Sequence, residues 1–220
     1  MKQAFLYLII TLIAVCHFAV ALHAESATTD PKVLIEDNFS DADYAPRKLP
    51  KGNWEITDGV ASAQHGPEPD GKMKKHGPQV AYATDFTDGT VSFDVKCSKC
   101  KAFTVAVDSA KPDKVYHIRL KLKGKNDVGQ AALINTFEPK AEGARKAVSI
   151  SLLEEGIPEL NEGEWNHVEI KFDGNQATST VNGKSNAISH DRIALLKRVI
   201  KIELQTGEFS IRNFSLTVPN

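Results

Sequence analysis

The sequence predicts an all-β protein, a two-sheet antiparallel β-sandwich, and three observations point there. Apolar residues alternate with polar ones at the strand period through most of the chain. Asp-Gly and Asn-Gly turn signals separate these runs, and only one short stretch carries a helical pattern. About a dozen short strands in one domain, each with a single apolar face, bury those faces only by stacking as two sheets.

The start of the chain stands outside that pattern. Met1-Lys2 precedes an apolar run from Ala4, and small residues end it at Leu22-His23-Ala24, the pattern of a secretory signal peptide. Cleavage is expected after Ala24, with Ala19-Val20-Ala21 as an earlier site. The rival is a retained anchor, since the run to Leu22 is nearly long enough to span a bilayer. The polar segment Glu25–Lys32 favours cleavage, and Val15 before Cys16 does not fit a lipoprotein signal. The expectation is residues 1–24 as signal peptide, 25–32 as a short linker and 33–220 as one jelly-roll domain, secreted or periplasmic, with no stable membrane insertion after cleavage.

Within the domain, Val91, Phe93 and Val95 alternate with Ser92, Asp94 and Lys96, and Phe103, Val105 and Val107 with Thr104, Ala106 and Asp108. Tyr116, Ile118, Leu120 and Leu122 alternate with His117, Arg119, Lys121 and Lys123. Val168, Ile170 and Phe172 follow, flanked by the hairpin signals Asp173-Gly174-Asn175 and Asn182-Gly183. His190–Lys197 is either a short helix or a linker between sheets. In the last run the apolar set passes from Phe209 and Ile211 to Phe214, Leu216 and Val218, a slip of one residue that calls for a bulge near Asn213.

Charge narrows the partners. Without residues 1–24, which hold Lys2 and no acidic residue, 26 basic side chains stand against 28 acidic ones. That balance argues against nucleic acid and against anionic membrane surfaces, which both call for a basic excess. Cys97 and Cys100 have no second cysteine pair with which to hold zinc, and they lie between strand patterns rather than at the start of a helix. They read as a turn, stapled by a disulfide or left as two thiols; export favours the disulfide.

Several segments now fall into a recognisable order. Asp37-Asn-Phe-Ser is followed by Trp54-Glu-Ile-Thr-Asp-Gly-Val, then by Asp85-Phe-Thr-Asp-Gly-Thr-Val-Ser-Phe-Asp-Val. Glu164-Trp-Asn-His-Val-Glu-Ile-Lys-Phe-Asp-Gly-Asn and Gly207-Glu-Phe-Ser-Ile-Arg-Asn-Phe-Ser-Leu complete it. This order resembles exported bacterial domains with the concanavalin A-like lectin/glucanase jelly roll, and within them the 3-keto-disaccharide hydrolase domain family, over residues 33–218. The resemblance implies carbohydrate as partner and a site built on the loop after the Trp…Asp-Gly-Val hairpin. It matches Glu68, Lys75 and His76 in that loop, and His117 with Arg119 in a His-x-Arg strand.

The residue chemistry fits the implied substrate. The loop Gln64–Gln79 carries His-Gly-Pro twice, with Pro67, Pro78 and three glycines fixing its bends. Imidazoles beside carboxylates can bind sugar hydroxyls, hold a divalent metal or move protons near neutral pH. The paired-glutamate string of retaining glucanases on this fold is absent. The expectation is therefore glycan recognition, with Glu68, Lys75 and Arg119 as binding residues. The enzyme alternative is a hydrolase or lyase acting on 3-keto-glycosides, with His76 or His117 as base. A third alternative is a structural envelope or adhesion domain with no small ligand. Trp54 and Trp165, both at strand starts, are expected in the core.

Overall fold

The structure, a computed structural model, describes residues 30–65, 77–100, 103–109 and 158–220 in full, and the strands 114–122, 133–139 and 145–151 by their backbone. In chain order the strands are β1 (Lys32–Asp37), β2 (Arg47–Lys51), β3 (Asn53–Thr57), β4 (Val60–Gln64), β5 (Gln79–Phe86) and β6 (Gly89–Ser98). Then come β7 (Phe103–Ser109), β8 (Lys114–Leu122), β9 (Leu133–Pro139), β10 (Arg145–Ser151) and the two-residue β11 (Glu159–Leu160). β12 (Asn166–Asp173), β13 (Gln176–Val181), β14 (Lys184–Ser189), β15 (Lys197–Leu204) and β16 (Glu208–Val218) complete the set.

These strands form two sheets. The first runs β14-β13-β12-β6-β16-β4-β3, with β1 also on β16; the second runs β10-β9-β8-β7-β15-β5-β2, with β11 on β8. Pairing is antiparallel, except that β11 lies parallel to β8. The expected bulge is present: the β16–β6 register shifts between Arg212 and Ser215, and Asn213 sits at φ 54°. The kink lets one long strand pair with β4 on its first half and β1 on its second. The stretch from His190 to Lys197 holds one short 3-10 turn, Asp191–Ala194.

Aromatic side chains from both sheets meet in the core. Tyr82 stacks on Phe214 with ring centroids 3.7 Å apart, Phe103 meets Phe209 at 6.1 Å and Phe93 at 6.2 Å, and Phe86 meets Phe172 at 5.7 Å. At one edge the sheets are also pinned by charge. Arg47 on β2 donates to both carboxylate oxygens of Asp37 on β1, each at 2.8 Å, and Tyr82 Oη donates to Asp37 Oδ2 at 2.9 Å. Arg47 and Asp37 are buried, so this pair exists because its remaining donors and acceptors are also matched.

Lys197 is buried as well. Its Nζ donates to the carbonyls of Thr87 at 2.5 Å, Ile193 at 2.6 Å and Leu195 at 3.2 Å, closing the 3-10 turn against the core. Burial brings its pKa down to about 8.

The crossings between sheets position the site. The chain passes from one sheet to the other between β4 and β5, β6 and β7, and β15 and β16, and these crossings meet at one end of the sandwich. His65 N donates to Gly207 O at 2.9 Å, and Leu204 N to Pro78 O at 3.1 Å. Gly77 lies so close to β15 that a Cβ there would stand 2.2 Å from Leu204 O. Gly207, at φ +93°, lies equally close to Ser98 O. Both described ends of the loop between β4 and β5 are therefore tied to the β15–β16 crossing.

Candidate functional site

Each sheet has a face turned away from the core, and the two differ. On the first sheet, Asp94 Oδ1 is hydrogen-bonded to His167 Nδ1 at 2.9 Å, while Oδ2 accepts from Asn213 Nδ2 at 2.9 Å and Arg212 Nε at 3.2 Å. Partial burial works to raise the Asp94 pKa, but these donors outweigh it and hold the carboxyl below its usual value. The Arg212 guanidinium lies 4.2 Å from the Trp165 ring centroid and Lys96 Nζ 5.4 Å from it. Trp165 is thus on this outer face, not in the core as its position at a strand start suggested. Trp54 meets the expectation by packing edge-on against Phe209 at 5.4 Å.

The second sheet presents a different surface. On β7, Phe103, Val105 and Val107 enter the core, so Thr104, Ala106 and Asp108 occupy the opposite face. Register extends that face across neighbouring strands. Ala106 is flanked by Lys201 on β15 and His117 on β8, and Lys201 is followed by Ala81 on β5 and Lys48 on β2. One row nearer the loop, Thr104 is flanked by Glu203 and Arg119, and Glu203 is followed by Gln79 and Lys51.

Two small residues therefore lie between longer ones. Strands spaced about 4.8 Å apart put the flanking register positions on β8 and β15 about 10 Å from each other, which outlines a candidate trough over β7. Thr104 and Ala106 are buried although they face away from the core.

The polar groups along the trough are only partly matched among themselves. Gln79 Nε2 donates to Glu203 Oε2 at 2.9 Å, and Lys201 Nζ is paired with Asp108 Oδ2. The other carboxylate oxygen, Asp108 Oδ1, is buried and has no hydrogen-bond partner among the described residues. A buried carboxylate oxygen without a donor costs free energy, and a donor arriving with a ligand removes that cost.

Of the residues expected from sequence, the structure brings His117 and Arg119 onto this face, at the register positions beside Ala106 and Thr104. Glu68, Lys75 and His76 lie outside the described residues; Gly77, the neighbour of His76, is packed against β15 two residues before Gln79. Cys97 and Cys100 are buried free thiols. Sequence reasoning missed Lys201, Glu203, Asp108 and Gln79. The alternation in Lys201-Ile202-Glu203-Leu204 was the available signal, because it marks a strand with one polar face. Among the described residues, no group of three or more His, Cys, Asp or Glu is placed to hold a metal ion, and no helix is long and apolar enough to cross a membrane.

Residues 37–217 match the model of the 3-keto-alpha-glucoside-1,2-lyase-like domain. The chain belongs to this family. A search among curated proteins finds no match. Solved structures similar to this family member include a prokaryotic β-1,3-1,4-glucanase (lichenase) from a mouse hindgut metagenome, at 12% identity, 84% of this chain, 99% of that one and a TM-score of 0.55. The Bacillus licheniformis β-glucanase matches at 10% identity, 84% and 98% coverage and a TM-score of 0.53. A carbohydrate-binding module from Bacillus subtilis matches at 11% identity, 78% and 95% coverage and a TM-score of 0.50. At these identities the likeness is one of fold: the lyase-like domain is a concanavalin A-like jelly roll.

Proposed function

We propose that this family member is an exported carbohydrate-recognition domain that binds a glycan in the trough over β8, β7, β15 and β5. The observation that carries the proposal is Asp108, held by Lys201 through one oxygen and left with the other buried and without a partner among the described residues. A sugar hydroxyl is the donor this oxygen lacks. Glu203, Gln79 and Thr104 add acceptors and donors two rows along the sheet from Asp108, and His117 and Arg119 hold the register positions beside Ala106 and Thr104 on β8. Glu68 and Lys75, expected from sequence, are proposed as further binding residues. Sheet-borne groups suit recognition because their backbone is fixed before the ligand arrives. Export rests on the N-terminal pattern of one basic residue, an apolar run and a small-residue exit.

The family match supports a second reading, cleavage of a 3-keto-glycoside by elimination. The ketone at C3 acidifies the C2–H. A base takes that proton, the electron pair forms the C1=C2 bond, and the C1–O bond breaks as the leaving oxygen is protonated. His117 or His76 supplies the base, and Arg119, Lys75 and Lys201 supply positive charge for the enolate oxygen. Incubation with a 3-keto-glucoside, followed by chromatography of released sugar, separates the two. Saturable binding without release supports recognition. Release that disappears in His117→Asn supports the lyase, and neither binding nor release rejects both.

A further inference from the structure

We infer, on the reading that the trough binds a glycan, that this glycan is acidic: a uronate carboxylate sits over β5 between Lys48 and Lys201. The register of β2 places the first of these lysines. Arg47 pairs with Tyr82, and both are buried. Tyr82 points into the core, so the next pair, Lys48 with Ala81, faces outward. On its other side Ala81 pairs with Lys201 of β15.

Ala81 is thus a short, buried residue with a lysine position one strand away on either side, the two about 10 Å apart. One row along, Lys51 and Glu203 flank Gln79 in the same way. Over β7, Lys201 and His117 hold the positions on either side of Ala106. Lys201 therefore stands between two small residues, Ala81 and Ala106, and reaches Asp108 on the β7 side.

Charge on this face is one-sided. The described acids there already have donors: Asp108 from Lys201, Glu203 from the Gln79 amide, and Asp85 from Arg198 at 3.8 Å. Lys48 is exposed and Lys51 half-buried, and neither has an ion-pair partner among the described residues. Across the sheet, β8 brings Lys114, His117, Arg119 and Lys121 and holds no acidic residue. A face with cations left over in this way draws an anionic ligand and holds its charged groups in preference to neutral ones.

The two lysines can share one carboxylate. An ammonium carries three donors, and Lys201 spends one on Asp108 Oδ2, so it can take a ligand carboxylate without releasing Asp108. Lys48 supplies a second charged donor from the opposite side of Ala81. A hydroxyl of the same glycan gives Asp108 Oδ1 its donor. A neutral sugar makes the hydroxyl contact and lacks the carboxylate one.

The test is calorimetric titration of the full chain with a panel of oligouronates of differing linkage, each beside its carboxyl-reduced neutral counterpart. At least one oligouronate should bind about tenfold or more tightly than its counterpart at low salt. That preference should narrow as ionic strength is raised towards about 1 M. Lys48→Gln should remove most of the preference and Lys48→Arg should keep it; the exposed position lets both variants fold. If every oligouronate binds no better than its neutral counterpart, the acidic sugar is excluded while glycan recognition stands. A preference that Lys48→Gln leaves intact would overturn the carboxylate position over β5. Binding of no sugar of either kind would reject glycan recognition itself, and the acidic ligand with it.

Discussion

Lys201 on β15 holds one oxygen of Asp108 on β7, and the other oxygen is buried with no partner among the described residues. Each of the two residues depends on the other in the ligand-free chain. Replacing Lys201 by Met removes the donor described for Asp108, at a cost of about 1–3 kcal/mol. Asp108→Asn combined with Lys201→Met should recover part of that loss. Urea melts of the two single variants and the double variant would show the coupling, and strict additivity would mean that the pair is incidental.

The Asp37–Arg47 pair is expected to be far more sensitive, because both partners are buried. Arg47→Met strands a carboxylate between the sheets and should cost about 3–5 kcal/mol. Tyr82→Phe removes only one hydrogen bond to Asp37 and should cost about 1–2 kcal/mol. Thermal melts that rank the two variants the other way would contradict the role given to this pin.

Lys197 gives the protein a dependence on alkaline pH. Its pKa falls from 10.5 to about 8 on folding, so between those values the unfolded chain binds more protons than the native one. Stability of the native state therefore rises with pH through this window, and the cost of burying the ammonium is fully present below about pH 8. Relative to Lys197→Met, wild type should gain about 1–3 kcal/mol as pH rises from about 8 to about 10.5. A difference between the two proteins that stays flat across this range would show that Lys197 does not titrate there.

Gly77 fixes where the β4–β5 loop rejoins the sheet. Gly77→Ala places a Cβ 2.2 Å from Leu204 O and should cost about 1–3 kcal/mol by forcing β5 and β15 apart. It should also weaken any ligand held at Gln79 and Glu203, the pair immediately beyond. Unchanged melting and binding in this variant would mean that the loop base is not held as described.

Much of the fold was legible because strand period, turn residues and core face are local signals. The bulge at Asn213 shows this well: the apolar set slips by one residue in the sequence, and the β16–β6 register shifts at the same place. Trp165 was misplaced because a large aromatic side chain at a strand start fits a core position or an outer face equally well. Arg212 and Lys96, which settle the matter, are distant in sequence. The site was legible only in part for the same reason. His117 and Arg119 belong to one strand and could be read from its alternation. Asp108, Lys201, Glu203 and Gln79 come from three strands whose order in the sheet, β7-β15-β5, is set by crossings that local sequence does not encode.

The most direct test of the central claim is calorimetric titration of wild type, Asp108→Asn and Lys201→Gln with a set of glucosides that includes the 3-keto form. Circular dichroism melts would check that each variant is folded. Wild type should bind at least one of these sugars saturably, and each variant should bind it about tenfold more weakly, which is about 1.4 kcal/mol for one hydrogen-bonding partner. Binding of undiminished strength in both folded variants would place the ligand elsewhere, and no binding by wild type to any sugar in the set would contradict glycan recognition.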